Sequence, residues 1–477
     1  MRLRGKPLRR LIPLMLAFAL VAAACGGDGD SDTTTGATET TAGAGGGGGD
    51  VVTVSLTARC KANPPTEDGR CFNLRDAVPA ANAALEAAGD NRRIELTIIQ
   101  DNADWGDYKT EFVLASDAGA APDIIVSGHE DIGPWASSGI IQDVTGLLGN
   151  FSEFDDVIES LWTSTELNGK RWGVPQDAEA RPMYYRTDLL AELGWSQAEI
   201  DGLPAEVASG SFTWEDMIDT AEEAIIAGVI DAGKGWWHRP VNGPDFLYYY
   251  YAAGGEITGD TDALVFDKAA ALKVYEVVGD AADRDVVVRT RLDGDWTNWN
   301  TDVANGDVLF WFGGSWQWAD WAANFIADLG GETYLFDNVG FSAIPGLAAG
   351  TGQPITLTHP LVYMVSSGAD AELALTLIAK ATTKELNTTY AVASGHLGIL
   401  NAQATYPPYT DARLLSEVLP LLEFTTFLPN SEFFSPWSEA YFLGFTAVES
   451  GELSPSDAVD VAVAQLENEL GDNVVIK

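Results

Sequence analysis

From residue 51 onward the sequence predicts an α/β fold, on three observations. Short β-rich runs alternate with segments of helical apolar period, turn residues separate them, and 46% of the chain is apolar, enough for substantial cores. VVTVSLTA (51–58) reads as the first strand. LRDAVPAANAALEAA (74–88) has helical spacing, and RIELTIIQ (93–100) is a second strand. Residues 107–118 read as a helix, and the turn at Gly119–Pro122 leads into a third strand, PDIIVSG (122–128). Such alternation argues for parallel sheets covered by helices, with ligands beyond the carboxyl ends of the strands. At 477 residues the chain is long enough for two or more domains.

The charge balance removes whole classes of partner. There are 27 Lys plus Arg against 70 Asp plus Glu, a formal charge of -43, and no cluster of cations outside the first ten residues. A phosphate backbone needs clustered cations, so no nucleic-acid partner is expected, and an anionic membrane surface fits as poorly. The 15 Trp are a second oddity.

The first fifty residues read as an address and a tether. Residues 1–24 open with Arg2, Arg4, Lys6, Arg9 and Arg10 and continue as an apolar run from Leu11 to Ala24, the pattern of a signal peptide. Ala22-Ala23-Ala24-Cys25 resembles the bacterial lipobox, which implies acylation of Cys25 and attachment to the membrane through that lipid alone. Plain secretion is the other reading. Residues 26–50 hold ten Gly, six Thr and no large apolar side chain, so residues 25–50 read as a lipidated Cys with a flexible tether. Removing residues 1–24 takes away five cations and no acids, leaving 22 Lys plus Arg against 70 Asp plus Glu.

Cys60 and Cys71 are the only other cysteines. In an exported chain a remaining pair this close is most simply a disulfide, worth about 3 kcal/mol on the chain-entropy account. The four histidines, 129, 238, 359 and 396, are scattered singly, so neither a metal site nor a cofactor is expected.

Four fragments in order carry a family resemblance. They are APDIIVSGHEDIGPWASSGIIQDV (121–144), NGKRWGVPQDAEARPMYYRTDLLAELGW (168–195), FTWEDMIDTAEEA (212–224) and VANGDVLFWFGGSWQWADW (303–321). The chain resembles the extracytoplasmic solute-binding proteins of ABC importers, in particular the carbohydrate-binding class that includes maltose-binding protein. The resemblance implies a two-lobe periplasmic-binding-protein fold (type II) with the ligand cleft between the lobes. It places residues 51–178 with 352–398 in the first lobe and 179–351 with 399–477 in the second. It implies a monomer on the outer face of the cytoplasmic membrane, a small-molecule carbohydrate as ligand and permease subunits as partners.

A sugar site needs planar aromatic platforms for C–H faces and carboxylate, amide or Arg groups for paired hydrogen bonds. Trp105, Trp135, Trp236, Trp237, Trp316, Trp318 and Trp437 lie in segments that read as loops or element ends, burial being the alternative for each. By resemblance, Glu130 and Asp131 stand where the class places an acid that grips sugar hydroxyls; solvated loop acids are the alternative. Asp177 and Arg181 fall on the crossover facing the cleft, although their spacing of four also suits a simple ion pair. Tyr185 could face the cleft or the core. The resemblance further places Asp245 and Phe246 at a cleft helix that supplies a platform, Trp316 as the second platform and Trp437 as a third. Gly313 and Gly314 allow close backbone approach beside Trp316.

The function implied is capture of a sugar without catalysis. Two other readings stay open: a secreted carbohydrate-active enzyme, since aromatic clefts with paired carboxylates also describe glycosidases, and a same-fold binding protein for a non-sugar solute or for sensing. The sequence contains no G-x-S-x-G elbow, HExxH, Walker A loop or G-x-G-x-x-G after a strand.

Overall fold

The run Val52–Lys61 pairs in parallel with Arg92–Asp101 along its whole length, Val52 opposite Arg92 and Lys61 opposite Asp101. This is a computed structural model describing residues 50–63, 67–259, 263–289 and 294–477, so the signal segment, Cys25 and nearly all of the tether lie outside the described residues. Ile124–Gly128 adds to the other side of Val52–Lys61 and is buried throughout, as a strand flanked on both sides must be. Leu361–Val365 and Val174–Pro175 complete this first sheet, in the order 92–101, 52–61, 124–128, 361–365, 174–175. The helix Phe72–Ala87 packs on it through Leu74, Ala77, Ala81 and Leu85, the spacing of one helix face. Cys60, in the first strand, and Cys71, just before that helix, form a disulfide with Cα atoms 5.8 Å apart.

A second sheet runs in the order Val339–Ser342, Met183–Arg186, Phe310–Phe312, Trp236–Trp237. Its core is aromatic, built from the helices Trp214–Ala227, Phe246–Ala252 and Phe434–Glu449. The first of these is fixed at its start by reciprocal capping between Thr213 and Asp216.

The expected parallel sheets need correction. The first sheet is parallel only across its first three strands, because Leu361–Val365 returns from the second sheet and pairs antiparallel with Ile124–Gly128. In the second sheet Met183–Arg186 is antiparallel to both neighbours.

Between the two sheets several stretches of chain lie side by side. Residues 176–182 leave the first sheet, Thr356–Leu357 returns beside Thr425–Thr426, and Ala178 exchanges backbone hydrogen bonds of 3.0 and 2.8 Å with Leu397. One buried cluster, from Leu56 and Ile124 of the first sheet to Tyr184 and Trp311 of the second, includes residues of both sheets, while the other face of the second sheet has a core of its own. Among the described residues no helix is long and apolar enough to cross a membrane.

Candidate functional site

A cleft opens between the two sheets. Its inner chamber, about 300 Å³, is lined by Arg70, Trp105, Lys109 and Glu130 from the first sheet's side and by Arg181 and Trp316 from the second's. A 620 Å³ groove continues it past Trp105, Trp296 and Trp316, and a 790 Å³ groove leads the other way past Lys109, Asp131 and Phe434. The segment 239–245 borders all three spaces.

Glu130 follows the strand Ile124–Gly128, at its carboxyl end. A Cβ on Gly128 would sit 2.2 Å from the Glu130 carboxylate, so glycine makes room for it to fold back over the strand end. Lys109 Nζ lies 2.6 Å from Glu130 and 2.9 Å from Asp131, and His359 Nε2 contacts the other Glu130 oxygen. Burial would raise the Glu130 carboxyl, but the facing His359 and Lys109 outweigh it and hold it well below the usual range. Burial pushes Asp131 up, with Lys109 pulling the other way. His359 is raised because Glu130 overcomes its desolvation, while burial and the neighbouring His359 lower His129 to about 4.

The crossover 176–182 carries a second cluster. Asp177, 0% exposed, accepts hydrogen bonds from the Leu361 N–H (2.8 Å) and Tyr390 hydroxyl (2.8 Å) and faces Arg70 Nη1 at 3.3 Å. It pins the crossover and has no surface left for a ligand. Arg181, 3% exposed, lies between Glu179 (3.0 Å) and Asp245, with its guanidinium 4.9 Å from the Trp316 ring centre. Arg239 holds the other Asp245 oxygen at 2.7 Å and lies 5.1 Å from the Trp296 ring centre. His396 stacks on Trp316 at 5.6 Å, with its Nε2 3.5 Å from Glu179. Burial opposes ionisation of Glu179, yet Arg181 and His396 bring it down to about 2.

Five carboxylates, at 130, 131, 177, 179 and 245, are thus matched by Arg70, Lys109, Arg181 and Arg239 together with histidine. With the charges paired internally, the cleft offers indole faces and oriented polar groups, an arrangement for binding polyhydroxylated molecules by stacking and hydrogen bonds.

Of the residues singled out in the sequence, the structure brings Trp105, Glu130, Asp131, Arg181, Asp245 and Trp316 to the cleft. Five others are corrected to the core. Trp236 and Trp237 form a short strand beside Phe310–Phe312, and Trp236 is 0% exposed against Trp214, Tyr249 and Phe312. Phe246 packs on Phe442 and Phe445. Trp437 sits inside a helix against Tyr250 and Phe266, its indole N–H donating to the Val265 carbonyl at 2.9 Å. Tyr185 lies on an inner strand with its ring over Gly340, where a Cβ would come within 2.3 Å. Trp135 and Trp318 are buried as well. Sequence reasoning missed Arg70, Lys109, Glu179, Arg239, Trp296, His359 and His396. Only Glu179 carried a local signal, two positions before Arg181.

Comparison with known proteins agrees with this architecture. Residues 80–415 match the family of bacterial extracellular solute-binding proteins. A maltooligosaccharide ABC transporter solute-binding lipoprotein of Streptococcus pneumoniae is 30% identical over 152 residues, so that the chain spans about a third (34%) of the length of that relative. The sugar-binding protein MalE of Xanthomonas citri shares the fold at a TM-score of 0.70, with 15% identity over 87% of this chain and 97% of that one. The GacH receptor of Streptomyces glaucescens, solved unliganded and with acarbose, gives 0.68 at 17% identity over 87% of this chain and 97% of that one. At these identities the likeness is one of fold, the two-lobed α/β architecture. With its fold, its cleft between two sheets and the match over residues 80–415, the chain belongs to the bacterial extracellular solute-binding protein family.

Proposed function

We propose that this protein captures a neutral sugar or oligosaccharide in the cleft and delivers it to the permease subunits of an ABC importer, without making or breaking a covalent bond. The observation that carries the reading is the cleft's composition. Trp105, Trp296 and Trp316 offer indole faces around a set of carboxylates and arginines that neutralise one another. A charged solute would have to break those pairs, whereas a polyol can hydrogen-bond to their edges. The 300 Å³ chamber is at the small end of ligand sites, and the adjoining grooves leave room for further sugar rings.

Ligand capture closes the two lobes about the crossovers. We assign residues 51–178 and 352–398 to one lobe and 179–351 and 399–477 to the other; the turns at 401–410 of the second pack on the helix Lys384–Ser394 of the first. The protein acts as a monomer, exported by residues 1–24 and held through acylated Cys25 at the outer face of the cytoplasmic membrane.

Titration of residues 26–477 with a panel of mono- and oligosaccharides should change the tryptophan fluorescence for at least one of them, and chromatography should return that sugar unchanged. Silence across a broad panel, with amino acids or peptides binding instead, would overturn the carbohydrate reading.

A further inference from the structure

We propose that the Cys60–Cys71 disulfide positions the ligand cleft by latching Arg70 onto the crossover between the sheets. Both cysteines are fully buried, and the bridge closes residues 60–71 into a ring between the end of the strand Val52–Lys61 and the start of the helix Phe72–Ala87. Among the described residues of that ring, three side chains reach the cleft region. Lys61 Nζ lies 5.5 Å from the Trp105 ring centre, Asn63 lines the outer groove, and Arg70 lines the inner chamber.

The ring is pinched at its base. Gly69 has φ +51, and a Cβ there would fall 2.3 Å from the Lys61 carbonyl oxygen and 2.8 Å from Ala62 Cα, so the two stems lie in direct contact. Arg70, next to Cys71, then has little freedom of its own. Its Nη1 donates to the Tyr390 hydroxyl (2.6 Å) and lies 3.3 Å from Asp177, while its carbonyl accepts from Gln176 Nε2 (2.6 Å). Gln176 and Asp177 begin the crossover, and Glu179 and Arg181 further along it face the chamber. The bridge therefore reaches the site in two steps, from ring to Arg70 and from Arg70 to crossover.

A purely stabilising bridge is the competing account. The elements it joins are already anchored without it: Leu56, Ala58, Leu74 and Ala77 are buried in one core, and the strand is paired on both sides. What the bridge adds is a covalent tie between the end of the strand and the residue next to Arg70.

The test uses the full chain as wild type, C60A/C71A, R70M and R70K, first without ligand. Hydrogen exchange read by mass spectrometry should accelerate about tenfold or more at residues 176–182 in C60A/C71A and R70M, less in R70K, and stay unchanged in the helix Lys268–Asp283. Acceleration confined to residues 60–72, or equal in both lobes, would overturn the proposal. A second arm, resting on the sugar-binding reading, titrates maltotriose. If the wild type binds it, C60A/C71A and R70M should bind about tenfold more weakly, and equal binding overturns the latch. If the wild type does not bind it, the choice of sugar or the sugar reading is at fault, and the exchange arm decides the proposal by itself.

Discussion

Arg181 allows the sharpest test of how the cleft is held together. Replacing it with Met removes a buried cation between Glu179 and Asp245. Asp245 keeps Arg239 at 2.7 Å, but Glu179 is left with the more distant His396 at 3.5 Å. Breaking a buried pair from one side costs about 3 to 5 kcal/mol, since the carboxylate left behind stays desolvated. For a chain of this size unfolding as one unit, that corresponds to a Tm drop of about 1 °C per kcal/mol. Urea unfolding and calorimetry at pH 7 on wild type, R181M, E179Q and the E179Q/R181M pair would measure it. The double variant should be more stable than R181M alone, with a coupling of about 1 to 3 kcal/mol, because it removes the stranded charge together with its partner. Wild-type stability in R181M, or strictly additive losses in the pair, would refute the network account.

Three further outcomes follow from the same geometry. W105A and W316A should each weaken saccharide binding about tenfold with little loss of stability, whereas W236A, which empties a buried site, should lower stability by about 3 to 5 kcal/mol, read by titration and urea unfolding. Glu179, held at about 2 against its ordinary 4.5, contributes stability that is present above pH 4.5 and lost as the pH falls toward 2; acid titration of E179Q should therefore be flatter in that window than wild type. With a formal charge of -43, the Tm should rise from low to molar NaCl as self-repulsion is screened, and a flat or falling Tm would remove surface repulsion as a factor.

The first sheet's start was legible because residues 51–128 alternate a strand period with a helix period and are cut by Gly and Pro. Trp105 and Trp316 were legible as cleft residues for a related reason: one opens a helix and the other follows two glycines. Trp236 and Trp237 were not, since a two-residue strand is too short to show a period, and the Gly- and Pro-rich surroundings imitate a loop. Trp437 was misplaced because nearby prolines hid the helix that buries it. The charged network was out of reach for a different reason. His359 meets Glu130 across 229 positions and Tyr390 meets Arg70 across 320, and no local pattern encodes partners that only the fold brings together.

A crystal structure of the protein grown with a saccharide that binds in solution would test the central claim most directly. The account predicts sugar in the inner chamber, with a ring against Trp105 or Trp316 and hydroxyls hydrogen-bonded to the Glu130 and Arg181 clusters. Sugar bound elsewhere, with that chamber empty, would contradict it.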